Sequence, residues 1–178
     1  MKYFKKLVGE RIYLSPMNPA DAETYTKWLN DLEVTDGLGN SIRITSLDNE
    51  RAWIQQNSGQ YEFAIVRLED DKLLGNCGFH NIDHLRQCSE LGLFIGDEEN
   101  RNQGYGAEVL NLLLDYGFNY LNFNNVMLKV FSFNERAINC YKKVGFKEIG
   151  RRRKSYYVKG KFYDDVFMDI LKEDRIKD

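Results

Sequence analysis

Between Leu91 and Leu121 the residue pattern changes period twice. The run Leu91-Gly92-Leu93-Phe94-Ile95 fits a strand, Gly96 to Gly106 is polar and rich in glycine, and from Ala107 onward apolar residues recur at helical spacing. A long helix that opens on Gly104 and Gly106 gives up stability there, because glycine costs roughly 1 kcal/mol relative to alanine in a helix. The first turn of a helix leaves N–H groups unpaired at the positive end of its dipole, and glycine lets an anion approach them closely. That points to a phosphate site. A dinucleotide fingerprint wants a third glycine where Val109 stands, and a Walker loop wants a GK[ST] triplet that the segment lacks. A tight strand-to-helix connection, with the glycines serving geometry alone, is the plain alternative.

The rest of the chain predicts what this unit is embedded in. Residues 11–16 alternate as a short strand, and Asn18 with Pro19 reads as the start of a first helix. Thr45 and Asp48 are spaced as a capping box for a second helix that stops before Gly59, and the segment DGLGNS between the helices reads as loop. Residues 61–68, 72–82 and 88–96 form an antiparallel meander. Then follow a helix over 104–121, a strand in NVMLKVFSF, a helix over 135–144 between Asn134 and Gly145, and two strands turning at Lys159-Gly160. A meander followed by βαβ units predicts an α/β fold with a mixed, mostly antiparallel sheet of about seven strands and helices on both faces. With 178 residues, 43% of them hydrophobic, and no linker, the chain reads as one domain over 1–178.

Composition removes several function classes. A net charge of −2 offers no global field for nucleic acid. Cys77, Cys88 and Cys140 are an odd set without CxxC spacing, which suits free thiols in a reducing compartment. No apolar run approaches membrane-spanning length, so a cytoplasmic protein is expected. His80 and His84 have i, i+4 spacing, but they fall where a strand runs into a loop, so no metal site is assigned. Arg151-Arg152-Arg153-Lys154 reads as a solvated strand edge.

Arg101-Asn102-Gln103-Gly104-Tyr105-Gly106 resembles the [QR]xxGx[GA] pyrophosphate loop of the GNAT superfamily of N-acetyltransferases, and it stands where that family has it, between the fourth strand and the next helix. Downstream, NERAINCYKKVGFKEIG is similar to the family's NxxAxxxYxKxGF segment. The resemblance extends to the branch that holds ribosomal-protein alanine, spermidine and amino-sugar N-acetyltransferases. It implies acetyl-CoA as the donor cosubstrate. Its pyrophosphate would lie on the backbone of Arg101, Asn102, Gln103, Gly104, Tyr105, Gly106 and Ala107. Its pantetheine arm would pair with Leu93, Phe94 and Ile95, where the fourth and fifth strands splay apart, and Asn134 would line the cofactor as well as capping its helix. Such pairing satisfies backbone groups that the splayed strand abandons.

The same resemblance places Tyr141 as the general acid at the departing sulfur; from spacing alone, Ala137, Tyr141 and Val144 share a helical stripe that could be core. It also puts Glu90, on the fourth strand, as the base for the incoming amine. An alkyl ammonium with pKa about 10.4 is neutral in only a few molecules per ten thousand at pH 7, so a base or water relay has work to do. The expected acceptor is a peptide or protein N-terminal amine, with a polyamine or amino sugar as the alternative; Asp31, Glu33 and Asp36 would suit a basic acceptor. Homo-oligomers occur in the branch. The reading from another class is a CoA-binding regulatory module without catalysis.

Overall fold

The computed structural model describes residues 2–175; Met1 and residues 176–178 of the expected domain lie outside them. The strands are β1 (Leu7–Val8), β2 (Ile12–Pro16), β3 (Glu62–Arg67), β4 (Leu73–Asp83), β5 (Cys88–Ile95), β6 (Asn125–Phe131), β7 (Lys147–Val158) and β8 (Lys161–Leu171). The helices are α1 (Ala22–Leu29), α2 (Leu32–Leu38), α3 (Leu47–Asn57), α4 (Tyr105–Asn119) and α5 (Glu135–Val144). The eighth strand is β1, two residues paired with β2 and too short to leave a pattern in the sequence. It shifts the labels, so the fourth and fifth strands of the sequence reading are β5 and β6. The chain packs as two compact units, one up to Gly78 plus Leu93–Leu112, the other Phe79–Gly92 plus the residues from Leu113 on.

In the first unit the strands lie in the order β1-β2-β3-β4-β5, and the first three pairings are antiparallel, as a meander requires. Asn18 accepts a hydrogen bond from Ala20 N at 2.9 Å and Pro19 opens a 3-10 turn that leads into α1. Tyr25, Trp28 and Phe94 meet edge to face, with Trp28 5.6 Å from Tyr25 and 6.0 Å from Phe94 between ring centroids. Trp28 Nε1 donates to Asp97 Oδ1 at 2.8 Å, so a core ring with a polar edge fixes the exit of β5.

Two local readings are corrected here. Much of the segment read as loop is α2: Asp31 caps it by accepting from Glu33 N at 2.9 Å, Gly37 lies inside it, and only Gly39, at φ 75°, ends it. Burial of Val34 outweighs the helix-breaking tendency of Gly37. The cap of α3 is Ser46, which accepts from Asn49 N at 3.2 Å, because the backbone of Thr45 is held on both sides by Asn30.

Glu62, on β3, is 6% exposed, and its carboxylate fills the space beside Gly78, where a Cβ would come within 2.7 Å of Oε2. Burial pushes its pKa from the ordinary 4.5 up to about 8. A carboxyl whose folded value is raised contributes stability that is complete below the unfolded value and is lost as pH rises through the folded one. Urea midpoints of the parent should therefore fall between about pH 5 and pH 8 relative to Glu62→Gln, and parallel pH curves for the two proteins would reject this assignment.

In the second unit the order is β4-β5-β6-β8-β7. β6 and β8 run antiparallel from Asn125↔Leu171 to Phe131↔Asp165, and β7 and β8 form the hairpin expected at Lys159-Gly160, whose φ values of 48° and 79° give the two left-handed residues of a tight turn. Arg151 to Lys154 lie exposed on edge strand β7, with a register shift between Arg152 and Tyr156, and Arg151 bridges Glu148 at 2.6 Å. α5 has the bounds read from sequence: Asn134 accepts from Ala137 N at 3.2 Å, and Gly145 ends it at φ 114°.

Candidate active site

The first unit carries the segment read as the phosphate loop. Asn102 and Gly104 both take left-handed backbone, at φ 60° and 83°, and α4 starts at Tyr105, so Gly106 and Ala107 lie in its first turn. The first intrahelical bond runs from Glu108 N to Gly104 O, which leaves the N–H groups of residues 105–107 without helical partners. They are the donors an anionic oxygen needs.

Two arginines hold this loop. Arg101 Nη2 donates to Gly96 O at 2.6 Å and its Nε to Ile95 O at 3.3 Å, tying the loop to the end of β5. Arg11 Nη1 donates to Gln103 O at 2.8 Å, its Nε bonds Glu108 Oε2 at 3.1 Å, and its guanidinium lies 5.0 Å from the centre of the Tyr105 ring. Sequence reading missed Arg11, because its partners stand more than ninety positions away. Leu93, Phe94 and Ile95 close β5 in the same unit. Phe94 O comes within 1.9 Å of where a Cβ of Gly75 would sit, so β4 approaches β5 more closely than any side chain at 75 permits.

The second unit carries the residues read as acid and base. β5 runs parallel to β6 over Cys88↔Asn125, Ser89↔Val126 and Glu90↔Met127, and among the described residues that register stops there, while β6 continues to pair with β8 through Phe131. The expected divergence of the two strands thus begins directly after Glu90, which is half-buried. Tyr141 is half-buried on α5, with its ring 5.9 Å from Phe146. Burial pushes its hydroxyl pKa up to about 12, with Cys140 adding and Arg136 opposing. The phenol therefore holds its proton throughout the neutral range. Asn134 is spent as the α5 cap through its side-chain oxygen, which leaves its amide nitrogen to line a ligand.

A family model described as an acetyltransferase (GNAT) domain matches residues 11–147. The chain belongs to the GNAT acetyltransferase family. It is 30% identical over 174 residues to the uncharacterized N-acetyltransferase p20 of Bacillus licheniformis, covering 94% of this chain and 97% of that protein. It is 26% identical over 174 residues to the putative ribosomal N-acetyltransferase YdaF of Bacillus subtilis, covering 94% of each. Among solved structures, spermidine N-acetyltransferase from Vibrio cholerae in complex with CoA and spermine matches with a TM-score of 0.84 at 20% identity, over 94% of this chain and 99% of that one, a likeness of fold.

This GNAT protein is an acetyl-CoA-dependent N-acyltransferase, which sets aside the non-catalytic module. The fold has the mixed, mostly antiparallel sheet expected of the family. No helix among the described residues is long and apolar enough to cross a membrane.

Proposed function

We propose that residues 1–178 act as one catalytic domain that transfers acetyl from acetyl-CoA to the N-terminal amine of a protein or peptide, by direct attack in a ternary complex. The backbone of residues 101–107 holds the pyrophosphate, and Leu93, Phe94 and Ile95 present the strand edge for the pantetheine amides. Tyr141 serves as general acid at the departing sulfur, and Glu90 as the base, directly or through water, for the incoming amine.

One observation carries the choice of acceptor. Of the three acids that would suit a polyamine, Asp36 is 8% exposed within α2, and Asp31, although exposed, is engaged as the α2 cap, which leaves Glu33 as the exposed acid outside the cap. A polycation needs several free carboxylates, whereas a peptide amine needs one. Overall likeness to a putative ribosomal N-acetyltransferase supports the same reading. The polyamine alternative rests on fold likeness and on 27% identity over 107 residues, 60% of this chain, to the spermidine N(1)-acetyltransferase of Vibrio cholerae.

Thiol release from acetyl-CoA should be followed against peptides with free N-terminal Ser or Ala, spermidine, spermine and amino sugars. The expected order puts a peptide first by at least about tenfold in kcat/KM, roughly 1.4 kcal/mol of transition-state preference. A polyamine or amino sugar at the head of that order would overturn the peptide acceptor.

A further inference from the structure

We propose that Glu108 is a positioning residue for donor binding: the turn between β1 and β2 draws its carboxylate away from the start of α4, and the N–H groups of residues 105–107 stay open to the donor's pyrophosphate. This rests on the reading of residues 101–107 as the phosphate loop and names what keeps that loop receptive. All the groups concerned lie in the first unit. Glu108 stands in the first turn of α4. A carboxylate at that place is drawn to the unpaired N–H groups of its own helix and to the positive end of the dipole. Settled there, it would occupy the donors that an incoming anion needs and repel the anion as well.

The fold turns it elsewhere. Glu108 Oε1 accepts from Arg11 N at 2.8 Å and from Ile12 N at 3.2 Å, and Oε2 accepts from Arg11 Nε at 3.1 Å. Three donors thus hold one side chain, which is 14% exposed. Gly9 makes the approach possible, since a Cβ there would come within 2.4 Å of Oε1. Gly9 N also donates to Ile12 O at 2.9 Å, which closes the turn that carries these donors.

Its charge is answered in the same place. Arg11 Nη2 lies 3.2 Å from where a Cβ of Gly104 would sit, so the guanidinium that neutralises Glu108 also borders the loop. Arg67, Glu10 and Glu69 line a cleft together with Arg11 and Tyr105. Arg67 is engaged by Asp70 at 2.6 and 2.8 Å and meets the Tyr105 hydroxyl, so Arg11 is the cation that answers Glu108. Without it, Glu108 would join Glu10 and Glu69 as excess negative charge beside the loop.

The test uses the full chain, the best acceptor of the panel and two donors: acetyl-CoA, and S-acetylpantetheine, which has the thioester arm without the pyrophosphate. Arg11→Gln frees the carboxylate. It should raise the calorimetric Kd of CoA and the KM of acetyl-CoA by about tenfold, with kcat at saturation and kcat/KM for S-acetylpantetheine within about twofold of the parent. Removing the freed charge as well, in Arg11→Gln/Glu108→Gln, should recover about fivefold of the lost CoA affinity. Arg11 also holds Gln103 O, so the recovery stays incomplete. Gly9→Ala, which pushes the carboxylate out and leaves Arg11 in place, should reproduce the loss for CoA and spare S-acetylpantetheine. A double variant that binds CoA no better than Arg11→Gln, or equal losses with both donors, would overturn the positioning role and leave the phosphate loop standing. In the parent, a kcat/KM for acetyl-CoA no higher than that for S-acetylpantetheine would overturn the phosphate reading of residues 101–107, and the role of Glu108 with it.

Discussion

Tyr141→Phe is expected to lower kcat by about 10²–10³-fold while leaving the Kd of acetyl-CoA within about twofold, the signature of a hydrogen bond made chiefly in the transition state. The substitution removes one oxygen and keeps the ring that packs 5.9 Å from Phe146, so the fold has little reason to respond. Among the described residues none takes a hydrogen bond from this hydroxyl, which leaves its proton for the ligand. With its pKa pushed up to about 12, against about 8.5 for a free thiol, complete transfer to a thiolate would be uphill by about 5 kcal/mol. A concerted shuttle, in which the phenol passes on a proton as it receives one, avoids the phenolate. The parent's kcat should accordingly show no alkaline decline traceable to this group up to about pH 10. Unchanged turnover in Tyr141→Phe would reduce the residue to packing.

Gly104→Val should weaken acetyl-CoA binding by about 10²-fold, near 2.7 kcal/mol, with the melting temperature changed little. At φ 83° the position demands left-handed backbone, which a β-branched residue strongly resists, and a Cβ would meet Arg11 Nη2 at 3.2 Å. The resulting strain, of order 1–3 kcal/mol, would be relieved by moving the loop, and that would displace the N–H groups proposed to hold the phosphate. Gly104→Asn is the informative companion, because asparagine tolerates left-handed backbone and should keep most of the affinity. Calorimetric Kd values equal to the parent's for the valine variant would remove the phosphate role from this loop.

What the sequence disclosed follows the range of the forces involved. α5 was legible to the residue because its cap, stripe and stop are all local: Asn134, the apolar spacing and Gly145. The Lys159-Gly160 turn was legible for the same reason. α2 was not, since Gly37 and Gly39 look alike in sequence and only packing distinguishes the helical glycine from the terminating one. Long-range partners were invisible: Arg11 reaches Gln103 and Glu108 across most of the chain, and Glu62 settles against Gly78 without any motif to announce it. Arg101 fitted the pattern of a phosphate ligand, yet its guanidinium is donated to two carbonyls of the preceding turn. The row through Glu90, Met127, Asp169 and Lys147 needed strand register, which a single sequence leaves open.

The two clamps of the proposed phosphate loop bear on how fast a ligand can leave. Because Arg101 and Arg11 hold residues 101–104 from opposite ends through backbone carbonyls, the loop is shaped before any nucleotide arrives, and binding forfeits little chain freedom. Preorganisation of this kind favours rapid capture without an ordering step and places the differences between tight and weak ligands in their residence times. Exchange of spent CoA for a fresh donor then depends on breaking contacts with the ligand, with no refolding of the protein around it.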